Sequence, residues 1–312
     1  MSHYGQAWQQ KAYMNKMKKL NKKAVLFNIS LVLITLLALT TALFTLGKLP
    51  WDKKIGQEQI KVLSVYKESE NILFYIDQSA KFSAQQTAYD LANNGGFLDI
   101  SGCGKFGYNL WNKEKDCYPD QSALKKNFQI LFNSNFENFR KAFQIKEIEL
   151  PFGAVIAPSL SILKYELFFD KTNIIGTGNE NVKVHISPEG TEKLQAGIYY
   201  LNPSFNVDAG YDIKEYETIT EKAKHLVTIC QPQPDNQLKT CIETELISYN
   251  QNSSLIWHLG PCGTAPDEKG RQFRFCITTK NKFLIYDKTS AKTELKPIDY
   301  KFALDFTQPK NI

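Results

Sequence analysis

From Ala24 to Leu46 the chain runs for 23 residues without a charge. About 20 apolar residues rising 1.5 Å each cross a hydrocarbon core of roughly 30 Å, so this run predicts a transmembrane helix over 24–46. A cleavable leader is the competing reading, with a small-residue site at Thr40, Thr41 and Ala42. Its apolar core is usually shorter, about 7 to 15 residues, which favours an uncleaved signal-anchor. A pilin-type precursor would need a processing site at the charged boundary, and Lys22-Lys23-Ala24 lacks the expected one.

Residues 47–56 read as a linker, with Pro50 ending the anchor and Trp51 suited to the membrane interface. Ile72, Ile76, Ala80, Ala84 and Ala88 then recur every four residues in a stretch free of proline and glycine. That period predicts a long extracytoplasmic helix over 57–93, closed by Asn93, Asn94, Gly95 and Gly96. The small side chains of Ala80, Ala84 and Ala88 form a helix-packing face, serving either the chain's own core or a homo-oligomer. Asp120 caps a further helix whose Leu124, Phe128, Leu131, Phe132, Phe136, Phe139 and Phe143 make a broad apolar face.

After Glu147 the period falls towards two. Residues 148–156, 161–169, 182–186 and 197–201 read as strands, with turns at Gly176–Asn181 and Pro188–Gly190. A helical pattern returns over 212–230 and again over 237–249, and three strands follow at 273–278, 282–286 and 300–306. The fold class is therefore α+β: an N-terminal transmembrane helix, a long extracytoplasmic helix, then a mixed helix and strand ectodomain. In domains this gives a tail 1–23, the anchor 24–46, the linker 47–56, a helical part 57–145 and an α+β part 146–312.

Charge sharpens the topology. The formal net charge is +6, and Lys11, Lys16, Lys18, Lys19, Lys22 and Lys23 supply all of it, since no acid precedes Asp52. The remainder sums to zero, which removes the case for nucleic acid and makes the basic tail an N-in signal beside the lipid bilayer. All six cysteines, Cys103, Cys117, Cys230, Cys241, Cys262 and Cys276, fall on the outer side. Their clustering predicts three neighbouring disulfides in an oxidising space, and no spacing typical of a metal site occurs.

Candidate chemistry is thin. His185, His225 and His258 are widely separated, assigned to a strand, a helix and a loop, and no Gly-x-Ser-x-Gly elbow accompanies them. Glu147 and Glu149 would share one strand face, as a glycosidase pair or as a solvated edge. Gly176-Thr-Gly-Asn179 lacks the Gly-Lys-Ser/Thr ending of a phosphate loop and reads as a hairpin turn. No cofactor is implied. Aromatic density is more suggestive, with 20 Phe, 15 Tyr and 4 Trp. Tyr108, Trp111 and Trp257 lie in or beside cysteine loops, where rings recognise sugars or anchor proteins, or else pack over the disulfides. Asn252 opens an acceptor sequon for glycosylation.

The anchor, the helix ending in Asn93-Asn94-Gly95-Gly96-Phe97, the loop with Cys103, Trp111 and Cys117, and the ending Phe275-Cys276 with Tyr300–Leu304 together carry a resemblance. The chain resembles single-pass, cysteine-containing, membrane-anchored proteins of small archaeal genomes. That resemblance implies an outer face at an archaeal surface or pseudoperiplasm, and no catalytic residues, the group having no assigned activity. The expectation is a non-catalytic structural or recognition component of the cell envelope, with an envelope protein or glycan as partner. An anchored hydrolase acting on glycan or peptide, and a pilin-like subunit assembling through the alanine face, are the alternatives.

Overall fold

A computed structural model describes residues 31–45, 51–113, 115–143, 147–150, 153–156, 160, 164–188, 198–251, 253–262, 268–287 and 290–307. Two compact units divide the chain, Met1–Lys61 and Val62–Ile312. In the first, residues 31–45 form a helix, α1, exposed along its whole length. Each threonine hydroxyl on it turns back to a helical carbonyl: Thr35 to Val32, Thr40 to Leu37, Thr41 to Leu37 and Ala38, and Thr45 to Thr41 and Ala42. Residues 24–30 and 46 of the expected span, and the tail 1–23, lie outside the described residues. Among the described residues no helix is long and apolar enough to cross a membrane.

Helix α2 (Trp51–Asn93) starts six residues before the periodic pattern does, carrying Gly56 inside it. In the second unit Ile72, Ile76, Ala80, Ala84 and Ala88 are completely buried in the chain's own core. The alanine face is therefore occupied within one chain, and assembly through it is set aside. The helix closes where foreseen: Gly96 N–H returns to the Leu91 carbonyl, with φ of +65° at Gly95 and +89° at Gly96. Gly95 is also required by space, because a Cβ there would stand 2.8 Å from the Lys301 carbonyl oxygen.

Two small hairpins fill the first cysteine loop, β1 (Lys105–Phe106) with β2 (Tyr108–Asn109) and β3 (Asn112–Lys113) with β4 (Lys115–Asp116). Helix α3 (Gln121–Ala142) follows, its N-cap Asp120 accepting from the Ala123 N–H at 2.8 Å. The expected strand 148–156 is instead a hairpin, β5 (Glu147–Leu150) and β6 (Gly153–Ile156), paired with β9 (Val182–Pro188) and β10 (Ile198–Leu201) in the order β10-β9-β6-β5. The sequence offered the reason in Pro151, which cannot donate to a continuous ladder.

A second antiparallel sheet orders β11 (Phe205–Asp208), β8 (Asn173–Gly178) and β7 (Tyr165–Asp170). Here the expected turn at Gly176–Asn181 is corrected. Gly176 and Gly178 sit inside β8, because the Phe205 ring of the neighbouring strand lies across Gly176, 2.2 Å from where a Cβ would be. The actual reversal is at Lys171 and Thr172, with Lys171 at φ +53°.

Helices α4 (Glu215–Cys230) and α5 (Asp235–Asn250) form the expected hairpin. Beyond them β12 (Leu255–Leu259), β13 (Glu268–Lys269), β14 (Gln272–Asp287) and β15 (Lys292–Asp305) make the largest antiparallel ladder. The two strands read at 273–278 and 282–286 are one, β14, continuous through an irregularity between Thr278 and Lys282. The first cysteine loop docks on β15: Trp111 N–H donates to the Ala303 carbonyl, and Asn112 exchanges two hydrogen bonds with the Asp305 backbone. The described chain is α+β with three disulfides.

Candidate functional site

The cysteines pair as their spacing foretold, Cys103 with Cys117, Cys230 with Cys241 and Cys262 with Cys276. The aromatics need correcting. Trp111 and Trp257 are 0% and 2% exposed, so neither presents a ring to a partner. Both pack on Phe302: Trp111 lies parallel to it at 3.8 Å between centroids, and Trp257 meets it edge-on at 6.2 Å. Tyr108 is half-buried, with the Arg274 guanidinium 5.7 Å above its ring. His225 is exposed and bonded through Nδ1 to the Tyr249 hydroxyl at 3.0 Å. His258 stands exposed on strand β12 rather than in a loop. Glu147 and Glu149 belong to β5 and His185 to β9, but their side chains, like Asn252, lie outside the described residues.

Folding gathers an ionisable cluster that no local pattern announced. The Tyr300 hydroxyl donates to Glu215 Oε2 at 2.6 Å, and the rings of Tyr216 and Tyr300 meet edge-on at 5.0 Å. Burial raises the Glu215 carboxyl above its ordinary range, opposed by the Tyr300 hydrogen bond and assisted by Asp212. Burial likewise pushes the hydroxyls of Tyr211, Tyr216 and Tyr300 far up. The adjoining cavity, lined by Gly210, Ser254, Lys280 and Phe283 among others, measures about 40 Å³. Such a space takes a water molecule or so and no substrate, and the cluster is a packing network.

A pH dependence follows from this cluster. With its pKa raised in the fold, Glu215 keeps a proton at pH values where the unfolded chain has released it. Its stabilising contribution is complete below the ordinary carboxylate range and is lost as pH climbs from there through the raised folded value. The Glu215→Gln protein, whose amide oxygen still accepts from Tyr300, should lose that decline. Urea midpoints measured from acid to neutral pH should show the variant gaining on the wild type as pH rises; parallel curves would refute the assignment.

The second feature is a cleft of about 550 Å³ walled by Phe82 and Gln86 of α2, Asn135, Asn138 and Phe139 of α3, and Leu284, Tyr286 and Thr293 of the β14–β15 hairpin. Gln86 Oε1 accepts the Tyr286 backbone N–H at 2.9 Å. That bond turns the Tyr286 N–H away from β15, so Tyr286 and Thr293 face each other as a close, non-hydrogen-bonded pair and both side chains reach the cleft. One carboxylate fixes an amide from each helix: Asp90 Oδ1 receives Gln86 Nε2 at 3.0 Å, and Asp90 Oδ2 receives Asn135 Nδ2 at 3.3 Å, with Thr87 Oγ1 taking the other Asn135 N–H at 3.1 Å. Phe82 and Phe139 lie nearly parallel, 6.5 Å apart.

Among the described residues these walls hold amides and aromatic rings and no ionisable side chain more acidic than a tyrosine. A signal was present in the sequence, since α3 between Asn127 and Phe139 opposes its Phe row with amides and a single charge, Glu137. A second, more open groove of about 650 Å³ runs between α3 and β7, past Lys125, Lys126, Ile130 and Phe168. Among the described residues, Cys262, Cys276 and Asp299 bring ligand-type atoms together, but both sulfurs are spent on their disulfide and Asp299 accepts from Thr278 at 2.8 Å.

The described residues make a disulfide-stapled α+β fold with a cleft walled chiefly by amides and aromatic rings. No family model, no curated protein and no solved structure matches the chain.

Proposed function

We propose that this protein is a single-pass, N-in anchored component of the cell envelope whose outer domain recognises another envelope constituent without transforming it. The observation that carries recognition over catalysis is the cleft itself. General acid and base work needs a proton donor or acceptor poised near working pH. Its described walls offer amides and rings instead, and the Asp90 carboxylate behind them is engaged in holding Gln86 and Asn135. Location rests on separate grounds. Three disulfides suit an oxidising compartment, six lysines without an acid suit a cytoplasmic tail, and the back-bonded threonines of α1 leave no hydroxyl donor exposed to lipid.

Two readings on whole cells test the proposal. Protease added outside should remove a C-terminal epitope and spare an N-terminal one, and thiol alkylation should find the cysteines blocked until reductant is added. Crosslinking of the full-length protein in cells should then capture a heterologous envelope component. Cysteines that alkylate without reductant would overturn the location, and self-crosslinks alone would overturn recognition.

A further inference from the structure

We infer that the cleft between α2, α3 and the β14–β15 hairpin binds an uncharged sugar unit of a surface glycan, an assignment that rests on the recognition reading above. An anionic ligand would be desolvated there with no counter-charge among the described lining residues, and a cationic one would find the Asp90 oxygens already engaged by Gln86 and Asn135. A purely apolar one would strand the amides, which is costly for polar groups taken out of water. The hydrogen-bond valences left over are specific. Asn135 has spent both N–H groups on Thr87 and Asp90, so its Oδ1 remains an acceptor. Gln86 has spent its oxygen on Tyr286 and one N–H on Asp90, so one N–H remains a donor. Asn138, exposed at the rim, makes no hydrogen bond among the described residues and offers both functions.

Donor and acceptor thus stand side by side in one neutral wall, which suits a hydroxyl that both gives and takes a hydrogen bond. Tyr286, 49% exposed, adds a ring face on which the C–H surface of a pyranose can lie, with Phe82 beside it. The volume falls within the range of small-molecule sites. Because Asp90 already fixes Gln86 and Asn135, little side-chain freedom is lost when the ligand arrives.

The test uses the full-length protein in lipid nanodiscs and saturation-transfer NMR with neutral trisaccharides of glucose, mannose and N-acetylglucosamine, beside a uronic-acid trisaccharide. Transfer to a neutral trisaccharide and none to the acidic one is expected, with affinity falling about three- to tenfold in Asn138→Ala and in Tyr286→Ala. Both side chains are solvent-exposed, so the far-UV spectrum of each variant should match the parent. Absence of transfer from every neutral trisaccharide, or transfer that survives both substitutions, overturns the assignment. A photo-reactive residue replacing Ser134, exposed on α3 one turn before Asn138 and outside the cleft lining, separates the two proposals in cells. Capture of a glycan-bearing species supports both; capture of an unglycosylated protein overturns the sugar and leaves recognition standing; no capture overturns both.

Discussion

Trp111→Ala should lower the unfolding free energy by about 3 to 5 kcal/mol, the usual loss when a fully buried large aromatic is truncated. The ring is completely buried between elements far apart in sequence, stacked on Phe302 of β15 at 3.8 Å. Its Nε1–H donates to the Gly95 carbonyl at 3.0 Å, at the turn that closes α2. Truncation therefore opens a cavity, leaves that carbonyl without its donor and loosens the first cysteine loop from the sheet. Trp111→Phe separates these effects in part, because it keeps a ring on Phe302 while forfeiting the hydrogen bond and the volume of the second ring, at about 1 to 3 kcal/mol. Equilibrium denaturation of both variants checks the pair. Equal losses would mean that the stack contributes little.

Removing the Cys230–Cys241 bridge, as Cys230→Ala with Cys241→Ala, should cost about 2 to 4 kcal/mol. The bridge closes a loop of separation 11, and Cys230 is fully buried. A second fastening spans the same connection. Arg271 donates to the Gln231 carbonyl at 2.6 Å, the Gln233 carbonyl at 3.1 Å and the Phe306 carbonyl at 2.8 Å, and pairs with Asp235. The α4–α5 turn is thus held covalently at one point and by a guanidinium at another. Arg271→Ala combined with the bridge deletion should cost more than the two separate losses added, since either alone leaves the other in place. Strict additivity in a double-mutant cycle would show that the two act independently.

What the sequence disclosed depended on distance along the chain. Helices α2 and α3 announced themselves because the 3.6-residue period is local, and the disulfides did because each pair is close in sequence. The β14–β15 ladder was harder. Lys292–Asp299 alternates weakly and contains Pro297, and it becomes strand only because β14 lies beside it. Gly176 looked like a turn residue, and the fact that overrides this is the Phe205 ring on the neighbouring strand. The tryptophans were equally ambiguous, since only the arrival of Phe302 decides between a displayed ring and a buried one. The cleft was the least legible of all: Gln86 and Tyr286, bonded directly, are 200 residues apart. Its one local trace was the amide-rich face of α3.

The three bridges have separations of 14, 11 and 14 residues, and they follow one another without overlap. For a chain handed over from its N-terminal end, that arrangement sets an order of events. Cys103 and Cys117 are both delivered before Cys230 emerges, so the correct partner is the only one present when the first bond is made. The same holds for Cys241 when Cys230 awaits it, and again for the last two. Where each bond closes before the next cysteine arrives, the other 14 of the 15 possible full pairings of six cysteines are avoided by order of delivery rather than by later reshuffling.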